Sequence, residues 1–275
     1  MHIEHIESDI VLFRGDAYES LATVFLHRGR ALLIDALADT NDAETMCRHI
    51  EDNLDARVDL VIMTHYMNDH MAALRLFPSA QIIAHQHYMH TYLSQRMRTP
   101  EDDAQFIAPT ITFTGSFKFQ WGRHALEVFH NPGKTMCAVA IDVPDCDLMF
   151  CGDAIVGHTA YLGASAPEVI DEAIARLQRR RRGRIIPGHI GVLPGHVFGD
   201  ARRYLHRLGK RVFKAHLEDA AERRIRNIRI EDCLPVDIQP TSFERFWHER
   251  NLDRIIERRL FAFDTSRPLS TVRPV

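Results

Sequence analysis

THYMNDH, residues 64–70, decides how this chain is read. It places two imidazoles and a carboxylate within seven residues. The run before it, RVDLVIMT at 57–64, is β-branched and mostly apolar, the pattern of a buried strand. The motif therefore falls on the loop leaving that strand. Asp69 and His70 are adjacent, so a tight turn must present both; successive residues of a regular strand point to opposite faces.

Three more short stretches share this placement just after a predicted strand: HNPGKT (130–135), FCGDA (150–154) and IPGHIG (186–191). Loops at one edge of a sheet can converge. His65, Asp69, His70, Asp153 and His189 would then form an imidazole and carboxylate set suited to zinc, iron or manganese.

The segments around these loops predict a mixed fold. Strands are expected at 9–14, 21–28, 31–35, 57–64 and 81–84, with helices at 40–54, 70–77 and on through Tyr92. Residues 110–151 read as all-β, followed by a helix at 167–180 and a short strand at 185–186. From Val197 the pattern is helical only. Ala201, Leu205, Leu208, Val212 and Ala215 make one apolar stripe, and a second helix over 242–260 carries Phe243, Trp247, Ile255 and Ile256. Residues 1–196 thus mix sheet and helix, and 197–275 form a helical appendage. Charge follows the division, with a net of −8 in the first segment and +5 in the second.

The four motifs, in this order, resemble those of the metallo-β-lactamase-fold superfamily, which includes glyoxalase II, lactonases, thioesterases and phosphodiesterases. The resemblance covers roughly residues 8–196. It implies an α/β (α+β) four-layer αββα sandwich, with two metals at one edge of the sheets. The family pattern is H-x-H-x-D-H, a histidine in a PGH-T loop, an aspartate in a GD loop and a histidine in a GH loop. Here Met67 stands for the second histidine and Lys134 for the PGH-T histidine. The first metal site the family implies keeps only His65 and Asp153. The second is complete: Asp69, His70, Asp153 and His189. Both losses fall on one site, which favours a one-metal protein, with zinc the first expectation and iron or manganese also fitting. Some β-lactamases of the superfamily work with one metal in the equivalent site. The C-terminal helices resemble a helix pair that covers the pocket mouth or forms a dimer in some members.

Several side chains have competing readings. Lys134, one of four lysines against 30 arginines, is expected in the site. It can pair with Asp153, hold a substrate anion, or act as a general base if desolvation lowers its pKa. His65 can be a general base, a substrate contact or a structural hydrogen-bonding group. Asp69 is expected to serve both the metal and catalysis. Met67 reads as an apolar filler sooner than a ligand, and His130 and His158 as neighbours of the site or surface groups sooner than replacement ligands. Cys151 reads as a small buried residue, and His85, His87 and His90 as solvated or partner-facing groups at a helix start. The loop at 96–109 and the tail are expected to shape the pocket.

Composition bounds the remainder. The 275 residues are 45% hydrophobic and 26% charged, which excludes a disordered chain, a collagen and a coiled-coil rod. A net charge of −3 gives no basic field for nucleic acid. Seventeen histidines call for explanation, and five cysteines without a framework spacing predict reduced thiols. The opening MHIEHIESDIVLF lacks a secretory pattern, and no apolar stretch is long enough for a membrane span, so a cytoplasmic protein is expected. Together these readings predict a metal-dependent hydrolase of a small activated acyl substrate such as a thioester or lactone. The alternatives are a non-catalytic protein that binds a ligand or partner, and a mononuclear iron redox enzyme. A homodimer through the C-terminal helices is a further expectation.

Overall fold

A computed structural model describes residues 1–95, 98–163 and 165–262. Residues 96 and 97 of the expected pocket loop, and 263–275 of the tail, lie outside the described residues.

The first sheet contains β1 (His2–Glu7), β2 (Ile10–Arg14), β3 (Leu21–His27), β4 (Arg30–Ile34), β5 (Arg57–Ile62), β6 (Gln81–His85) and β7 (Ile111–Phe113), neighbours in chain order. Its first four strands are antiparallel and the rest parallel. Parallel neighbours need a long crossover. Helix α1 (Thr40–Asp52) supplies it between β4 and β5, while α2 (Tyr88–Leu93) and α3 (Pro100–Gln105) lie between β6 and β7. Asp39 starts α1 by accepting from the backbone N–H groups of Asn41 and Asp42.

The second sheet contains β8 (Ser116–Trp121), β9 (His124–His130), β10 (Val139–Val143) and β11 (Leu148–Gly152). A small hairpin of β12 (Ile155–Val156) and β13 (Thr159–Ala160) leads to α4 (Pro167–Gln178). Helix α4 is the crossover to β14 (Arg184–Pro187), which pairs parallel to β11, and β15 (Leu193–Pro194) closes that edge. The tail contains α5 (Val197–His216), α6 (Ala221–Arg226) and α7 (Ser242–Arg258).

Alternation along the strands assigns each face. Ile10, Leu12, Leu32, Ile34, Leu148 and Phe150 meet between the sheets. Val11, Phe13, Ala31 and Leu33 point outward against α1 residues Ala43, Met46 and Ile50. Met149, Cys151 and Ile185 point outward from the second sheet, against Ile170 and Ile174 of α4 and the α5 stripe Ala201, Leu205, Leu208, Val212 and Ala215. This is the αββα sandwich expected from the sequence, and Cys151 is the buried small residue it predicted.

Three expectations need correction. The helix placed at 70–77 consists of two 3-10 turns, Asn68–His70 and Ala72–Leu76, because the first must present Asp69 and His70 together. His85 ends β6 and is not solvated. Its ring is buried, stacks 3.6 Å from His130 and bonds the Thr114 carbonyl at 3.0 Å. The unpredicted β1 adds an edge strand to the first sheet.

Candidate metal centre

The four motif loops leave the strands at one edge of the sandwich, where the sheets are joined. Leu21 N–H donates to the Gly188 carbonyl at 2.9 Å, and Val139 N–H to that of Thr64 at 2.7 Å. These bonds fix the strand ends from which the side chains project.

Asp153 is the hub. One carboxylate oxygen, Oδ1, lies 3.4 Å from His70 Nε2 and 3.3 Å from His189 Nε2. The other, Oδ2, forms an ion pair with Lys134 Nζ and lies 3.4 Å from His65 Nε2. Asp69 closes the group, with Oδ2 at 3.5 Å from His189 Nε2 and Oδ1 at 3.9 Å from His70 Nε2. All six residues singled out in the sequence are therefore brought together. His130 and His158 are not: His130 Nε2 bonds the Met136 carbonyl, and His158 pairs with Glu244. Met67 lines the cleft outside.

Several of these polar atoms have no partner. His65 Nε2, Asp69 Oδ1, His70 Nε2, Asp153 Oδ1 and His189 Nε2 are all buried without a hydrogen bond. Each such atom costs about 1–3 kcal/mol, so a convergent set of them calls for a shared cation. Ligand atoms of Asp69, His70 and His189 lie within 4.8 Å of one another, as do those of His65, His70 and Asp153. Two carboxylates and two or three imidazoles fit a divalent ion such as zinc, iron or manganese.

The backbone keeps this space clear. A Cβ on Gly188 would stand 2.0 Å from Asp153 Oδ1 and 2.7 Å from His70 Cε1. Gly152, just before Asp153, has φ +49°, where glycine carries no steric cost.

Surrounding groups orient the imidazoles, and the sequence did not disclose them. Asp35, at the end of β4, accepts from Thr64 N–H at 2.8 Å and from Thr64 Oγ1 at 2.7 Å. The single Thr64 hydroxyl hydrogen is thereby used, so His65 Nδ1 must donate to Thr64 Oγ1 across 3.0 Å. The lone pair of His65 is then on Nε2, facing the centre. His189 Nδ1 donates to the Tyr18 carbonyl at 2.8 Å, which leaves its Nε2 free as well. Such outer bonds fix the tautomer of a ligating imidazole. The only sequence signal for Asp35 was its position closing an apolar strand.

Charge is balanced within the group. Burial alone would raise the Asp153 pKa, but Lys134 and the imidazoles hold it well below the usual carboxylate range. Burial would lower the Lys134 pKa, yet Asp153, Tyr161 and Asp69 hold it above the ordinary lysine value. The Lys134 ammonium also sits 4.1 Å from the centre of the Tyr161 ring. The raised Lys134 value runs against the reading of this residue as a desolvated general base, and its contact is with Asp153, the first of its expected roles. Burial keeps the His65 pKa below its ordinary value, so that ring is neutral. His70 is raised to about 9, since Asp69 and Asp153 outweigh its burial.

Outside the centre, a cleft of about 370 Å³ is bordered by Asp69, Met67, Tyr18, Arg98 and Trp247. Helix α7 forms part of its wall, and the Phe243 ring stands 5.3 Å from that of His189. The tail therefore covers the mouth of the site.

An αββα sandwich with imidazoles and carboxylates gathered on the loops at one sheet edge defines a class of metal-dependent hydrolase folds. The sequence profile of the metallo-beta-lactamase superfamily matches residues 5–196, and the chain belongs to that superfamily. Among solved structures, a metallo-beta-lactamase from Pontibacter korlensis is similar at 19% identity and a TM-score of 0.63, over 74% of this chain and 98% of its own. The metallo-beta-lactamase DIM-1 is similar at 18% identity and a TM-score of 0.62, over 74% of this chain and 96% of its own. The stereoselective inverting sec-alkylsulfatase Pisa1 from Pseudomonas sp. is similar at 13% identity and a TM-score of 0.69, over 99% of this chain and 52% of its own. This chain thus spans about half of the sulfatase, and that likeness extends into the helical tail. No curated protein matches the sequence.

Proposed function

We propose that this protein is a hydrolase of small activated acyl compounds, thioesters or lactones, that works with one divalent metal, zinc foremost. Asp69, His70, Asp153 and His189 would hold the ion, and Lys134 takes the place of a second one. The observation that carries the reading is the division of Asp153. One oxygen is paired with the Lys134 ammonium, and the other is unpartnered between His70 and His189.

A divalent cation held there supplies Lewis acidity, for polarising a carbonyl or acidifying water. The side chains supply the rest. The neutral His65 presents its Nε2 lone pair to the centre and can take the proton of an attacking water. Lys134 is a fixed positive charge near the negative charge that develops on the acyl oxygen, and a preorganised charge stabilises it without reorganising. Asp69 orients the attacking water while it binds the ion.

Metal analysis of the purified full-length chain tests this, run alongside a screen of thioesters and lactones. Near one equivalent of Zn, Fe or Mn is expected, with turnover lost on chelation. Asp69→Ala is expected to abolish both metal and turnover. Protein carefully purified with zero metal would sink the reading.

A further inference from the structure

Helix α7 carries a second set of groups beside the cleft and a neighbouring groove. Phe243, Trp247 and Arg250 are spaced i, i+4 and i+7, so they share one helix face. Phe243 stands against His189 of the metal centre. Trp247 borders the cleft beside Asp69, and it also borders a second groove of about 320 Å³ lined by Tyr18, Tyr161, Phe246 and Arg250. The two grooves share Tyr18 and Trp247 in their linings. Arg250 lies seven residues beyond Phe243, roughly 10 Å along the helix axis.

The charges and donors on this face are selective. Arg254 pairs with Glu257, Asp253 with Arg226, and Arg98 with Asp103. Arg250 lies 5.2 Å from the Phe246 ring centre, and among the described residues no carboxylate pairs with it. The Trp247 indole N–H is buried without an acceptor. Arginine and the indole are both donor-only groups. A ligand that satisfies both must bring acceptor oxygens, and beside an unpaired guanidinium those oxygens are best charged.

We infer that the substrate carries an oxyanion, a carboxylate in the simplest case, at the end remote from the acyl carbon, held by Arg250 and the Trp247 N–H. The chain between the two ends lies along Tyr18 and Trp247. This rests on the acyl-hydrolase reading for the identity of the reacting end, while the anion subsite rests on α7 alone.

Two measurements on the full-length protein test it. The first compares thioesters of ω-carboxyacyl chains of increasing length with their ω-methyl esters. The carboxylates are expected to show KM values about ten- to a hundredfold lower, with an optimum chain length, as for a charge-assisted hydrogen bond. Arg250→Gln is expected to remove this discrimination, and Arg250→Lys to retain part of it. The second titrates wild type and Arg250→Gln with α,ω-dicarboxylates while following Trp247 emission; the other tryptophan, Trp121, lies at the far end of the β8–β9 hairpin. Length-dependent binding lost in Arg250→Gln supports the inference even if no thioester or lactone is turned over, a result that would instead remove the hydrolase reading. Equal KM for charged and neutral chains, or dicarboxylate binding indifferent to Arg250→Gln, overturns it.

Discussion

On the proposed reading, a single lysine limits the centre to one ion. The Lys134 ammonium meets Asp153 in a buried ion pair, and breaking such a pair by removing one partner typically costs about 3–5 kcal/mol. Lys134→Met is therefore expected to lower the unfolding free energy of the metal-free protein by an amount in that range, read by urea titration. Restoring imidazoles should reverse the specialisation: Met67→His with Lys134→His is expected to raise bound zinc from near one to near two equivalents by elemental analysis. An unchanged stoichiometry would show that Lys134 is not what restricts the site. Gly188→Ala forces a Cβ within 2.0 Å of Asp153 Oδ1 and is expected to abolish metal binding while far-ultraviolet circular dichroism stays near that of wild type. At this scale the six clustered residues were legible because each lies in a loop leaving an apolar strand. The Lys134 protonation state was not, since it depends on a carboxylate 19 residues away meeting it in space. Nor was Asp35, which acts only through the Thr64 hydroxyl.

Among the elements, α7 joins tail to sandwich through polar groups. Glu244 accepts from Thr241 N–H in a capping box and from both the backbone N–H and Nδ1 of His158. Asn251 bonds the Leu162 N–H and the Ala160 carbonyl, and Tyr204 of α5 bonds His248. The Glu244 hydrogen bond holds the His158 pKa above its ordinary value. Burial would raise the Glu244 pKa, but its bonds from His158 and Thr241 hold it low. The sign follows from linkage. The His158 contribution is full below about pH 6.5 and is lost as pH rises through the raised folded value. The Glu244 contribution is present above the ordinary carboxylate value and is lost as pH falls through the lowered one. Glu244→Gln is expected to cost about 1–3 kcal/mol, most between those limits, with the difference in Tm shrinking at both extremes of a pH series. A difference independent of pH would mean the pair is not charged. The helices themselves were legible from apolar spacing. Their docking was not, because Glu244, His248 and Asn251 look like the solvated face of an amphipathic helix until the partners 44 to 91 residues away are seen.

For the whole molecule, the outward face of the second sheet and the α5 stripe share one apolar cluster with Leu252 and Ile255 of α7. A chain cut after residue 196 would leave Met149, Ile185 and Ile174 partly uncovered. It is expected to collect in inclusion bodies or to bind a hydrophobic dye strongly; a soluble, dye-silent fragment would show that the sandwich needs no tail. The layer order was readable from strands alternating with helices. The tail's place over the cleft was not, since nothing in an apolar stripe says which surface it meets. One consequence concerns supply. A bound metal exchanges with its surroundings, so it can be stripped by a chelator or displaced by the wrong ion when the right one is scarce. The Lys134 ammonium is encoded in the gene and arrives with translation. On the proposed one-metal reading, a centre that carries part of its positive charge on its own side chain depends less on whatever ions the surroundings provide.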